Sequence, residues 1–195
     1  MKRMMVAMFR PDTGHLPEPV VPAGGVRVRW FREGDENTWA RIEREAGEFS
    51  SEAAARERFA KDFPDPARLY DRCLFIEDNA GEPVGTATAM SGQLAGRTMG
   101  RLGWVAVTPR HEGRGLGKYA VALALRRIAQ EHREIYLSTQ TTSVAAVSIY
   151  LRCGFVPHAY GPDDEAAWRL LSEALGREIV PPVRWARWSE PPRKP

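Results

Sequence analysis

The stretch Trp104-Val105-Ala106-Val107-Thr108-Pro109-Arg110-His111-Glu112-Gly113-Arg114-Gly115-Leu116-Gly117-Lys118 decides how this chain is read. An apolar strand stops at Pro109, and three alternating glycines follow. A segment of helical period then spans residues 113–131, with Leu116, Ala120, Leu123, Ala124 and Ile128 as its apolar side. A strand, a glycine loop and a helix N-terminus in that order suit a phosphate-bearing ligand. The helix dipole favours negative charge there, and glycines let backbone N–H groups approach an anion closely. Arg110, Arg114 and Lys118 add positive charge to the same turn.

Two other glycine loops fit poorly. A nucleotide-hydrolysing loop needs glycine five residues before its Gly-Lys pair and Ser or Thr after it. Glu112 and Tyr119 occupy those positions. A dinucleotide fingerprint could be drawn through Gly115, Gly117 and Ala120, but it wants an acid at the end of the next strand to hold a ribose. That strand, Ile135-Tyr136-Leu137-Ser138-Thr139, ends without one.

The spacing Val107-x-Pro109-Arg110-x-x-Gly113-x-Gly115-Leu116-Gly117 resembles the acyl-CoA signature of the GNAT superfamily of N-acyltransferases. A second block, Ala146-Val147-x-x-Tyr150-x-x-x-Gly154-Phe155, resembles that family's later helix, with its tyrosine and closing Gly-Phe. The likeness covers roughly residues 26–160. It implies an α/β fold: a mixed, splayed β-sheet with helices on both faces and acetyl-CoA as cosubstrate in the splay. It also implies that Gly113, Arg114, Gly115, Leu116, Gly117 and Lys118, with Arg110, hold the pyrophosphate. The backbone of Val105 and Val107 would bond the pantetheine, and Val107 N–H would polarise the acyl carbonyl. Ser143 and Ala146 complete the cofactor set. Ser143 stands where the family often has Asn; serine can still cap that helix.

The implied reaction moves an acetyl group to the primary amine of a small acceptor, by direct attack in a ternary complex. No Cys or Ser lies in a nucleophile motif. Tyr150 occupies the place of the acid that protonates the departing thiolate. A base is harder to find. Several relatives carry a carboxylate in the strand before the glycine loop, where this chain has Arg101. Glu45, Glu48, His158, Asp163 and Asp164 are the candidates elsewhere, and His111 is expected to face solvent. An alternative is an acyl-CoA-binding sensor or interaction module without turnover.

Composition bounds the rest. The chain has 195 residues, enough for one sizeable core. Apolar residues make up 43% and charged ones 27%, as in ordinary soluble proteins. No apolar run reaches the ~20 residues of a membrane span, and Arg10 cuts short the apolar start, so no membrane partner and a cytoplasmic location are expected. The net charge of +3 is too scattered for a nucleic-acid surface. Cys73 and Cys153 stand apart, without metal-ligand spacing, and Cys153 reads as a core thiol. A homodimer is left open.

In chain order, residues 1–25 read as an extended lead-in with a short edge strand at 4–9. Residues 26–160 form the acyltransferase-like domain, beginning with the strand at 26–31. Asp35 caps one helix and Ser50 or Ser51 a second. Strands follow at 73–77, 84–90 and 99–107, the last with Gly100 and Gly103 marking a bulge or close backbone approach. Residues 161–190 add a helix, with Trp168 on its apolar side, and a strand at 183–188, and 191–195 form a disordered tail.

Overall fold

Hydrophobic alternation and turn residues become secondary structure largely as read. The computed structural model describes residues 1–94, 96–159 and 162–180. Its elements are β1 (Met5–Arg10), β2 (Arg27–Trp30), α1 (Glu36–Glu45), α2 (Glu52–Asp62), β3 (Cys73–Glu77), β4 (Pro83–Leu94), β5 (Arg97–Val107), α3 (Leu116–Ala129), β6 (Ile135–Gln140), α4 (Val144–Arg152), β7 (Val156–His158) and α5 (Pro162–Leu175). The strand read at 183–188 and the tail lie outside the described residues. The fold is mixed α/β, with the sheet order β2-β3-β4-β5-β6-β1-β7. β2, β3 and β4 are antiparallel neighbours, whereas β5 and β6 run parallel. A parallel pair needs a crossover, and α3 supplies it.

The chain gathers into two compact units. One comprises Pro17–Met90 and Leu102–Arg127. Its core is aromatic: Trp39 of α1 meets Phe59 of α2 edge-on at 5.2 Å, and Phe31 stacks on Phe59 at 5.8 Å. Ser51 caps α2 by accepting the Ala54 N–H at 3.1 Å. Asp35 heads α1 but makes no such side-chain cap. Its carboxylate instead accepts the Arg32 N–H at 2.7 Å and both terminal nitrogens of Arg29, at 2.5 and 2.9 Å. Arg29 Nε bonds Glu77 at 2.7 Å, so one guanidinium ties β2 to β3 and to the start of α1. The Asp35 hydrogen bond leads the effects that raise the Arg29 pKa.

The other unit comprises Met1–Leu16, Ser91–Arg101 and the described residues from Ile128 onward. Here the expected lead-in is corrected. The strand anticipated at 4–9 forms, but it is no edge: β1 lies between β6 and β7, antiparallel to both. Val6, Met8 and Phe9 are buried accordingly. The short run and the prolines after it hid the partners, since alternation reports a buried face but not a neighbour.

α4 closes as its Gly-Phe pair suggests. Phe155 N–H reaches the Tyr150 carbonyl at 3.0 Å and Gly154 N–H that of Leu151 at 3.2 Å, with Gly154 at φ +81°. The buried Arg10 guanidinium donates to the Cys153 carbonyl at the same helix end. A Cβ on Gly154 would fall onto that guanidinium. Gly154→Ala therefore combines left-handed strain, ~1–2 kcal/mol, with a disturbed buried hydrogen bond. The expected loss is about 2–4 kcal/mol. Thermal melting should show a drop of roughly 4–15 °C, and an unchanged midpoint would contradict this account of the corner.

Candidate active site

β5 delivers the glycine loop, and its backbone departs from the ideal before it does so. Trp104 has φ +51°, an uncommon value for a bulky residue. The bulge expected at Gly100 or Gly103 thus falls on the next residue, whereas the close approach is met at Gly100, where a Cβ would fall onto Ile128 Cγ2. Gly103 itself is limited by space, because a Cβ there would stand 2.8 Å from Met90 Sδ. Val105 and Val107 follow, both half-buried, and Thr108 N–H bonds the Val84 carbonyl at 2.9 Å.

Pro109–His111 then makes a single short 3-10 turn. His111 does not face solvent as expected. The turn folds it back, so that Nδ1 lies 2.9 Å from Thr108 Oγ1 and Nε2 lies 3.7 Å from Asp78 Oδ2. Asp78 sits in the β3–β4 turn. Backbone N–H groups of Glu82 and then Ala80 lower its pKa, with charge from His111 and Arg114 adding to the effect. The imidazole therefore spans the start of the glycine loop and the neighbouring hairpin.

Beyond the turn, Gly113 has φ +72° and Gly115 φ +83°, values that favour glycine. The Gly115 carbonyl accepts the Tyr119 N–H at 3.1 Å, so Gly115 heads α3. The helix begins three residues later than its glycine pattern suggested, because the positive-φ glycines remain in the loop. Among the described residues, apart from its chain neighbours, nothing lies within 4 Å of a Cβ built on either glycine. Arg110, Arg114 and Lys118 are exposed around this open turn, and Leu116 is buried in the core. A cleft of about 540 Å³ adjoins the loop, lined by Arg41, Arg44, Glu82, Thr108, Arg110 and His111 among others. Arg41 is already paired with Glu82 at 2.6 Å.

The remaining expected residues lie on α4, in the other unit. Tyr150 is buried, and its ring meets Phe155 edge-on with centroids 6.1 Å apart. Ala146 is half-buried on the same helix. Ser143 occupies the N-cap position but makes no side-chain cap, contrary to expectation. Its ψ of 52° departs from the extended backbone that aims a cap at the first turn.

The base candidates divide by environment. Glu45 stands 3.6 Å from both Arg41 and Arg44. His158 is buried, which holds its pKa below the usual histidine value, with Asp164 pulling the other way. Sequence reasoning missed Glu43. It is 1% exposed, and its Oε1 has no hydrogen-bond partner among the described residues. Burial raises its pKa from 4.5 to about 8, with Glu48 adding repulsion. The available signal was position: Glu43 lies one turn after Trp39, on the apolar side of α1. Among the described residues, no group of three or more His, Cys, Asp or Glu could hold a metal ion.

Glu43 predicts a pH-dependent stability. The folded chain keeps this proton up to about pH 8, whereas the unfolded chain releases it near 4.5. Its contribution is therefore fully present below about 4.5, falls as pH rises and levels off above about 8. Glu43→Gln removes that slope, so melting curves should show the variant gaining on the wild type between pH 5 and 8.5. Parallel melting temperatures across that range would rule out a buried titrating carboxyl.

Comparison with known proteins agrees with this geometry. The family model described as "Acetyltransferase (GNAT) family" matches residues 35–155, more than half of the chain. A mycothiol acetyltransferase from Propionibacterium freudenreichii subsp. shermanii is 31% identical over 156 residues, 75% of this chain and 46% of that protein. One from Geodermatophilus obscurus is 31% identical over 184 residues, 86% of this chain and 55% of its own. The chain thus spans about half the length of the curated relatives it matches. A solved GCN5-related N-acetyltransferase from Sphaerobacter thermophilus superposes with a TM-score of 0.64 at 23% identity, covering 80% of this chain and 49% of the other. Among the described residues, no helix is long and apolar enough to cross a membrane. With the glycine loop, the α3 head and the matched span in agreement, the chain belongs to the GNAT family of acetyltransferases.

Proposed function

We propose that this chain transfers an acetyl group from acetyl-CoA to the primary amine of a small acceptor, by direct attack within a ternary complex. The observation that carries the reading is the open turn before α3, where positive-φ Gly113 and Gly115 stand among exposed Arg110, Arg114 and Lys118. A diphosphate fits such a turn, because backbone N–H groups can approach it without a Cβ in the way and fixed cations offset its charge. Arg110, Gly113, Arg114, Gly115, Leu116, Gly117 and Lys118 would hold it, Leu116 through its backbone since its side chain is buried. Val105 and Val107 would bond the pantetheine, with Ser143 and Ala146 assigned to the same arm by family resemblance.

When bound, the cosubstrate supplies an acetyl thioester. The protein must polarise its carbonyl, for which Val107 N–H is the donor in this reading. Tyr150 is the acid that returns a proton to the sulfur. The described residues have no extended basic stripe that would favour a polyanionic acceptor. Incubation with acetyl-CoA and a broad panel of primary amines, with released CoA and acetylated product both quantified, tests the reading. Stoichiometric product and thiol support it. Tight acetyl-CoA binding with no amine consumed would favour a sensor without turnover.

A further inference from the structure

The segment between β1 and β2 forms neither helix nor strand, yet several contacts fix where it runs. Glu18 pairs with Arg126, in the last turn of α3, at 2.7 Å. Further on, the Gly24 carbonyl accepts a hydrogen bond from Asn79 Nδ2 at 2.7 Å. A Cβ on Gly24 would stand 3.7 Å from Arg114 Nη2, so the segment passes directly beside the glycine loop. Arg114 is also near enough to Asp78 for its charge to help lower that carboxyl's pKa, after the backbone N–H groups. From Leu116 to Arg126 α3 rises ~15 Å, and the chain from Glu18 to Gly24 reaches at most ~22 Å when extended. The segment Pro17–Gly25 is therefore a strap along α3, from its last turn to the loop at its head.

Pro17, Pro19 and Pro22 restrict the backbone over much of this strap. Gly25 N–H closes onto the Pro22 carbonyl at 3.2 Å, which turns the chain just before β2. Between these fixed points Val20 is 68% exposed and Val21 56%. Among the described residues they are the only large apolar side chains exposed next to each other in sequence. Single exposed apolar residues are ordinary, whereas an adjacent pair on a stiff strap offers a small apolar face. The Cα of Val21 lies at most ~11 Å from that of Gly24, beside Arg114. A ribose and its base can cover such a span from a diphosphate.

We propose that the Pro17–Gly25 strap receives the nucleoside end of acetyl-CoA, with the adenine base lying on Val20 and Val21. This rests on the acetyltransferase reading, which assigns the diphosphate to the turn that holds Arg114. In that reading the pantetheine goes to Val105 and Val107, so the nucleoside leaves the diphosphate by its other end, and the strap borders the turn at Arg114. A purine presents a flat apolar face, and valine methyl groups cover such a face without demanding hydrogen bonds. The prolines lower the cost of ordering the strap around a ligand, because little backbone freedom is left to lose.

The experiment compares the wild type with the double variants Val20→Ser/Val21→Ser and Val20→Ile/Val21→Ile. Each is titrated by calorimetry with acetyl-CoA and with the acetyl thioester of 4′-phosphopantetheine, which lacks the nucleoside. Both positions are exposed, so the fold should be kept, and melting curves check this. The serine variant should bind acetyl-CoA ~10-fold more weakly, about 1.4 kcal/mol, and bind the phosphopantetheine thioester as the wild type does. The isoleucine variant should keep wild-type affinity for both. Unchanged acetyl-CoA affinity in the serine variant overturns the assignment of Val20 and Val21 alone. An equal loss for both ligands also overturns it, since the strap would then act on the glycine loop and not on the base. If the wild type binds neither ligand, the acetyltransferase reading fails, and this assignment fails with it.

Discussion

Tyr150→Phe is expected to lower kcat by ~10²–10⁴ while leaving acetyl-CoA affinity nearly unchanged. The magnitude is that of a lost general acid. The substitution is clean because the ring keeps its place: Tyr150 is buried, meets Phe155 edge-on, and lends its backbone carbonyl to the α4 corner. Phenylalanine preserves all of that and removes only the hydroxyl. The measurement is single-turnover acetyl transfer to a validated amine, with chemistry rate-limiting, beside calorimetric titration of acetyl-CoA. Normal turnover would make Tyr150 a packing aromatic. Lost cofactor binding would instead make its hydroxyl part of the binding arm, and the sulfur would then take its proton from water.

Gly115→Val should weaken acetyl-CoA binding by at least ~10-fold, or about 1.4 kcal/mol. Its cause differs from crowding, since among the described residues a Cβ at Gly115 meets nothing within 4 Å beyond its chain neighbours. The backbone there has φ +83°. A β-branched residue resists that conformation by ~1–2 kcal/mol, so the turn would rearrange or Val would project where a diphosphate must approach. Titration by calorimetry, with a melting curve to show that α3 still forms, checks the result. Unchanged affinity in a folded variant would exclude this loop as the anion site.

The fold was legible wherever two local signals agreed. Pro109, the alternating glycines and the apolar helix after them each pointed to the same strand–loop–helix unit, and Ser51 and Gly154 marked helix ends through chemistry that acts over a few residues. The misreadings share a different cause. The place of β1 depends on partners far along the chain, and its residues carry no mark of which strands will receive them. His111 was read from its neighbours in sequence, but its environment comes from Asp78 across a hairpin. Glu43 shows the limit most plainly. A glutamate in a helix reads as a surface charge by composition, and only the packing of Trp39 beside it reveals a buried one. The glycine loop of the candidate site was thus visible, whereas the buried carboxyl of Glu43 was not.

The placement of β1 has a consequence for how the protein is made. Met4 N–H bonds Thr141 Oγ1 across 137 residues of sequence, and β1 also pairs with Val156–His158. On a ribosome the chain emerges from its N-terminus. β1 must therefore wait for residues 135–140 and 156–158 before either neighbour exists. During that interval Met8 and Phe9, both buried at the end, have no native sheet to enter. Closing so long a loop costs entropy before any contact repays it, and pairings of this span slow folding. β1 is made well before its partners and settles only after them, and for that time it is a segment in need of shelter from other chains.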